Sequence, residues 1–119
     1  MKILIIDDDA FFRKFYAEKL TEAGYEVIEA IDGEDGLEKI QQETPHLILL
    51  DLIMPKKNGF EVLQEIQNKH IQTIIIIFST LDQQKDITEA KKLGAVDYIN
   101  KGSETWESTL AKISTYMPH

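Results

Sequence analysis

Acidic, hydroxyl and ammonium side chains follow four of the apolar runs in this sequence, where they could bind a charged oxygen ligand. Asp7 and Asp8 follow the first run, Asp51 the third, Ser79 the fourth and Lys101 the fifth. Three crowded carboxylates repel one another strongly unless a cation joins them, and the lysine supplies only one positive charge. A hard divalent ion with oxygen ligands, above all Mg²⁺, would supply the rest.

Asp51 is the candidate for covalent chemistry at this site. A bound cation could hold a phosphoryl group against a carboxylate, while Lys101 and the Ser79 hydroxyl bind its remaining oxygens. That arrangement would form an acyl phosphate on an aspartate. Each feature alone has an ordinary explanation, since aspartates cap helices, lysine–aspartate pairs form on surfaces and serines close turns. Their joint placement after four different strands is what favours a site.

The segments that must position these side chains have the pattern of buried strands. The clearest is Leu47–Leu50, an apolar run without alternation, which is typical of a strand covered on both faces. The predicted strands are Lys2–Ile6, Tyr25–Ile31, Leu47–Leu50, Thr73–Phe78 and Val96–Asn100. Ligands bind at the carboxyl ends of the strands in open parallel sheets, so the polar residues that follow the strands should converge on one pocket.

Between the strands, apolar residues recur every three or four positions, which predicts amphipathic helices. Gly24 and Gly94 predict two helix ends, and Ser103 is the expected N-cap of the last helix. Gly36 should weaken the second helix by about 1 kcal/mol relative to alanine. The apolar stripes are Phe12, Phe15, Tyr16, Leu20 and Ala23; Leu37 and Ile40; Phe60, Leu63 and Ile66; Ile87, Ala90 and Leu93; and Trp106, Leu110, Ile113 and Met117.

This alternation predicts an α/β fold with a doubly wound, five-stranded parallel sheet. Right-handed crossovers would place helices on both faces, and strand order 2-1-3-4-5 is one of the two common forms. The length of 119 residues suits one domain with one core, so residues 1–119 are expected to form a single domain.

Composition narrows the functional classes further. The net charge is −8, from 21 acidic and 13 basic residues, which argues against direct nucleic-acid binding and suits a cation or a basic partner surface. The absence of cysteine excludes disulfides and thiolate chemistry. Since the sequence has neither a signal peptide nor a membrane-spanning apolar run, we expect a soluble cytoplasmic protein that does not contact the membrane.

On these residues the chain resembles the response regulator receiver domain of two-component signalling, the CheY-like superfamily, over essentially its whole length. The resemblance implies a flavodoxin-like (βα)5 fold. The family pattern is an acidic pair, an aspartate followed by Met-Pro and a glycine, a hydroxyl residue and a lysine. This sequence shows Asp7-Asp8, Asp51 with Met54-Pro55 and Gly59, Ser79, and Lys101.

The resemblance implies that Asp51 accepts a phosphoryl group from a phosphohistidine on a sensor histidine kinase or a histidine phosphotransfer protein. It implies Mg²⁺ as the cofactor, bound by Asp8, Asp51 and the backbone carbonyl of Ile53. Asp7 would act mainly through water. Such a protein catalyses its own phosphorylation and slow hydrolysis and turns over no small-molecule substrate, so it would not count as an ordinary enzyme.

The same resemblance implies a phosphoryl-binding set of Ser79, Thr80 and Lys101 and a switch made of Ser79 and Tyr98. When the Ser79 hydroxyl moves toward the phosphoryl group, the Tyr98 ring can swing inward. That movement would repack the surface of the fourth helix, fifth strand and fifth helix, which a downstream protein or effector domain would recognise. The expected state is a monomer or a weak dimer that forms on phosphorylation.

Three residues depart from the family pattern. Lys57 stands at a position that is commonly apolar in the turn after Asp51, where we expect it only to add positive charge near the pocket. Gly102 stands where a proline usually follows the lysine through a cis bond; because a cis bond without proline costs about 3 kcal/mol, we predict a trans bond and a relocated, looser loop. Thr80 stands where alanine or glycine is usual. Its bulk beside the approach path leads us to expect slow transfer and a long-lived acyl phosphate.

Three other functions compete with the switch. A phosphatase of the haloacid-dehalogenase type would need a second aspartate where Ile53 stands. A flavin-binding module would need a phosphate-binding loop after the first strand, where this chain has three aspartates. A pseudo-receiver, an interaction module that is never phosphorylated, is disfavoured by the complete acid, hydroxyl and lysine set, although Gly102 and Thr80 keep it open.

Overall fold

The computed structural model describes residues 1–81 and 83–117, which form five strands that alternate with five helices. The strands are β1 (Lys2–Ile6), β2 (Glu26–Ala30), β3 (Leu47–Leu50), β4 (Ile74–Ser79) and β5 (Asp97–Asn100). The helices are α1 (Ala10–Glu22), α2 (Gly33–Glu43), α3 (Gly59–Asn68), α4 (Gln84–Lys92) and α5 (Trp106–Tyr116).

All strand pairs in the sheet are parallel, and their order is β2-β1-β3-β4-β5. This order confirms the predicted doubly wound, flavodoxin-like topology. One core lies between the sheet and α2, α3 and α4, and a second lies between the sheet and α1 and α5. Every residue of the central strand β3 is fully buried, which explains why its sequence lacks alternation.

The predicted element ends differ from the observed ones by a residue or two at β2, β4 and β5. The larger error is at α5, where Thr105 rather than Ser103 is the N-cap and accepts a hydrogen bond from the Ser108 amide at 3.1 Å. The Ser103 amide instead donates to the Asn100 carbonyl at 3.2 Å, so a turn follows β5 before the helix begins. Gly24 and Gly94, with φ of 101° and 115°, directly follow the C-caps of α1 and α4, as predicted.

The buried face of α1 is rotated from the predicted stripe. Phe15 is 39 % exposed, and Ala23 is exposed as well, whereas Ala17 is buried. Arg13, a charged residue between the predicted apolar positions of α1, is only 8 % exposed. Its guanidinium donates to the Asp7 carbonyl at 2.8 Å, so a charged side chain covers the end of β1.

Two glycines allow helices to approach the strands that carry the site. A Cβ on Gly36 would lie 2.6 Å from Cδ1 of Ile6, so the glycine predicted to weaken α2 lets that helix pack directly on β1. A Cβ on Gly59 would collide with the Asp51 carbonyl and lie 2.7 Å from Cα of Leu52. The start of α3 can therefore contact the segment after β3 only with glycine there.

Among residues 1–81 and 83–117, every helix is too short or too polar to cross a lipid bilayer.

Candidate functional site

The ends of β1, β3 and β5 bring three predicted site residues together. The backbone amides of Asp7 and Asp51 continue the sheet ladder, since they donate to Ala30 and Ile6 carbonyls at 3.1 and 3.0 Å. The Lys101 amide does the same with the Ser79 carbonyl at 3.1 Å. The backbone that carries each of these side chains is therefore held in place by the sheet.

The Lys101 ammonium joins the two buried carboxylates. Its Nζ lies 2.7 Å from Oδ2 of Asp7 and 3.1 Å from Oδ2 of Asp51. The side chains are 5 %, 2 % and 6 % exposed, respectively, so solvent screens these charge-assisted bonds little. The predicted convergence of the three residues is what the structure shows.

Charge in this pocket is unbalanced. Burial raises the pKa of Asp7 from its ordinary value of 3.8 to about 6, although hydrogen bonds from Lys101 and the Asp9 amide oppose the rise. Burial would lower the pKa of Lys101, but the two neighbouring carboxylates raise it above its ordinary value. One ammonium thus faces two buried carboxylates, and an added cation would favour the ionised form of Asp7.

Asp8 completes a group of carboxylates that could hold such a cation. One oxygen from each of Asp7, Asp8 and Asp51 lies within 4.8 Å of the others. Asp7 and Asp51 are buried and Asp8 is exposed, so the group opens toward solvent on the Asp8 side. Carboxylate oxygens are the ligands that Mg²⁺ takes in proteins, so the donor set fits that ion.

The segment after β3 holds the second oxygen of Asp51. The Ile53 amide donates to Oδ1 of Asp51 at 3.3 Å, while Lys101 occupies Oδ2. The Ile53 side chain is exposed. The proposed role of the Ile53 carbonyl as a metal ligand stays a prediction, as does the expectation that Asp7 acts mainly through water.

Ser79 and Thr80 lie side by side but in different surroundings. Ser79 ends β4, is fully buried, and its Oγ accepts a hydrogen bond from the Leu81 amide at 3.3 Å. Thr80 is exposed, and its Cγ2 would lie 3.6 Å from a Cβ on Gly102. The two loops that follow β4 and β5 are therefore in contact, and the phosphoryl-binding role of both residues stays a prediction.

Tyr98 is half-buried on β5, where it pairs with Ile77 and packs on the core that faces α2, α3 and α4. Its hydroxyl oxygen is buried. The peptide bonds of the described residues are all trans, which confirms the prediction for Lys101–Gly102. The loop that follows is hydrogen-bonded, since the Gly102 and Glu104 amides donate to Oδ1 and the carbonyl of Asn100, both at 2.9 Å.

Two residues of α1 border the site without having been predicted there. Arg13 binds the Asp7 carbonyl, as described above, and pairs with Glu29 at 3.1 Å. The Phe12 ring lies against the Lys101 ammonium, with 4.9 Å from Nζ to the ring centroid. Arg13 could have been found from its helical spacing with the buried residues Tyr16 and Leu20.

Comparison with known proteins places the chain in a family. A sequence model of the response regulator receiver domain matches residues 3–111. The response regulator RR06 of Streptococcus pneumoniae is 45 % identical over 101 residues, which cover 85 % of this chain and 46 % of RR06. The chemotaxis protein CheY of Thermotoga maritima is 39 % identical over 101 residues, which cover 84 % of each chain.

Solved structures agree with this assignment. The BeF3-activated N-terminal receiver domain of Klebsiella pneumoniae RstA superposes with a TM-score of 0.93 at 26 % identity and covers all of both chains. The chain therefore belongs to the response regulator receiver domain family of two-component systems. It spans less than half the length of RR06 and of several other curated relatives, among them the alkaline phosphatase synthesis transcriptional regulatory protein PhoP of Bacillus subtilis.

Proposed function

We propose that this receiver domain is a phosphorylation-dependent switch in which Asp51 accepts a phosphoryl group from a phosphohistidine. The donor would be a histidine kinase or a histidine phosphotransfer protein, and the reaction would need Mg²⁺. The observation that carries the proposal is the Lys101 ammonium held at 2.7 and 3.1 Å by Asp7 and Asp51, with Asp8 beside them.

In the proposed step, a carboxylate oxygen of Asp51 forms a bond to phosphorus. The bond from phosphorus to the donor imidazole nitrogen breaks, and the electron pair leaves with the imidazole. Asp8, Asp51 and the backbone carbonyl of Ile53, with Asp7 mainly through water, would hold the Mg²⁺ ion, which would supply positive charge next to the phosphoryl oxygens. Lys101 would stabilise the same charge, because its buried ammonium already contacts Oδ2 of Asp51.

The output is a change of surface rather than a released product. The Ser79 hydroxyl would leave the Leu81 amide and donate to the phosphoryl group, and Tyr98 would follow by repacking β5 against α4. The altered face of α4, β5 and α5 would then bind a downstream protein or effector domain, either as a monomer or as a weak dimer. No small-molecule turnover is part of this proposal.

Incubation with acetyl phosphate and Mg²⁺, followed by intact mass measurement, tests the proposal. We expect the mass to rise by one phosphoryl group in the wild type and not in Asp51→Asn. Asp9→Asn is the matched control, because it removes a neighbouring charge while asparagine can still cap α1, and it should be phosphorylated like the wild type. A wild type that gains no mass would contradict the proposal and favour the pseudo-receiver function.

A further inference from the structure

The Lys101 ammonium has an aromatic neighbour in addition to its two carboxylates. An ammonium has three N–H donors, and two of them are directed at Asp7 and Asp51. The Phe12 ring lies on a further side, with its centroid 4.9 Å from Nζ. The face of an aromatic ring attracts a cation, and the attraction strengthens when both groups are shielded from water, as the Lys101 side chain is here.

The Phe12 ring is itself fixed in place. Its backbone amide donates to the N-cap Asp9 at 3.2 Å, which anchors the first turn of α1. The ring stacks on Tyr16 with centroids 6.4 Å apart and meets Phe11 edge-on at 5.7 Å. Phe12 therefore presents a preorganised surface to the ammonium.

The backbone at Lys101 is fixed, but the long side chain still has to be directed. The Lys101 amide donates to the Ser79 carbonyl at 3.1 Å, and the Gly102 amide donates to Oδ1 of Asn100 at 2.9 Å. The lysine side chain is a flexible four-carbon stem that ends in the ammonium. The position of the ammonium is therefore set by its own contacts, of which the Asp7 bond is shorter than the Asp51 bond.

We propose that Phe12 is a positioning residue for Lys101. The ring holds the ammonium between Asp7 and Asp51, so that it already lies beside Asp51 when a phosphoryl group arrives. This role rests on the proposed function, because it deepens the account of the same site. In this role Phe12 acts on the reaction through Lys101.

Progressive fluorination of Phe12 separates attraction to the ring face from simple packing. Mono-, di- and trifluorinated phenylalanine keep the shape of the ring while they withdraw charge from its face. We expect the rate of phosphorylation by acetyl phosphate to fall stepwise along the series, to about one tenth for the trifluorinated ring. The phosphorylation rate of Phe12→Leu should fall by a similar factor, whereas Phe12→Tyr should keep the wild-type rate.

Phe15 provides the matched control. It lies on the same helix, is 39 % exposed, and its ring faces the Lys19 ammonium at 5.7 Å. The same fluorinated residues at Phe15 should leave the rate unchanged. The positioning role would be overturned if the phosphorylation rate stayed the same along the Phe12 series, or if it fell as much along the Phe15 series.

A second measurement needs neither Mg²⁺ nor a phosphodonor. Protons above an aromatic ring resonate upfield, so the Lys101 ammonium should give an upfield signal in proton–nitrogen spectra of the wild type and of Phe12→Tyr. That signal should move downfield in Phe12→Leu, and an unchanged signal would refute the contact. If the wild type is never phosphorylated, the proposed function fails, and the positioning of Lys101 by Phe12 is then decided by this spectrum alone.

Discussion

Replacing Asp7 by asparagine should change how the stability of the protein depends on pH. Asp7 is 1 % exposed, and burial raises its pKa to about 6 from an ordinary 3.8. A carboxyl group whose pKa is higher in the folded than in the unfolded chain favours folding while it is protonated. Its contribution is complete below the unfolded pKa and is lost as the pH rises through the folded pKa.

The size of the effect follows from the two pKa values. One pKa unit corresponds to about 1.4 kcal/mol. A change from 3.8 to about 6 therefore makes the ionised carboxylate cost the folded state at most about 3 kcal/mol. Of this, about 2 kcal/mol is lost between about pH 4.5 and pH 7.5. Asp7→Asn has no such titration, so its stability relative to the wild type should rise by that amount over the same range.

Urea unfolding followed by circular dichroism, with EDTA present, measures this difference at each pH. Asp35→Asn is the control of opposite sign. Burial alone would raise the pKa of Asp35, but hydrogen bonds from the Ile31 amide and Lys39 lower it below the ordinary value. The stability that Asp35 contributes is therefore lost as the pH falls. If the difference in free energy of unfolding between Asp7→Asn and the wild type does not vary with pH, the reasoning is refuted.

Four further substitutions test the surroundings of the site. Gly59→Ala should lower stability by about 2 kcal/mol in urea unfolding and slow phosphorylation, because its Cβ would collide with the Asp51 carbonyl. Gly102→Ala should instead raise stability by about 0.5 kcal/mol, since its Cβ meets only ordinary contacts. Asn58→Ala should cost about 1 kcal/mol through loss of the α3 capping box and leave phosphorylation intact. Thr80→Ala should speed phosphorylation and shorten the lifetime of the acyl phosphate, measured by mass over time; unaltered rates would contradict our interpretation of Thr80.

The convergence of Asp7, Asp51 and Lys101 could be predicted from sequence for a simple reason. Strands buried on both faces are rich in apolar residues, so the polar residues that follow such a segment mark the carboxyl end of a strand. In a parallel sheet all these ends lie on one edge. The fold and the convergence of these three residues thus followed from the same pattern.

Side-chain partners far apart in the chain could not be predicted in this way. The burial of Arg13 could not be predicted, because the sequence does not show that its guanidinium binds the Asp7 carbonyl and pairs with Glu29. The α5 cap was misplaced because the Ser103 and Glu104 amides donate to the Asn100 carbonyl, which forms a turn after β5 and moves the start of the helix to Thr105. In both cases the deciding partner belongs to another element or turn.

Lys101 spans from the outermost strand to the centre of the sheet. In the sheet of the described residues, β5 pairs with β4 alone. Lys101, which follows β5, nevertheless forms hydrogen-bonded ion pairs with Asp7 after β1 and Asp51 after β3. In the proposed switch, a phosphoryl group on Asp51 would therefore act on β5 through Lys101 as well as through Ser79 and Tyr98. The edge strand of the sheet is linked to its centre by one side chain in addition to its pairing with β4.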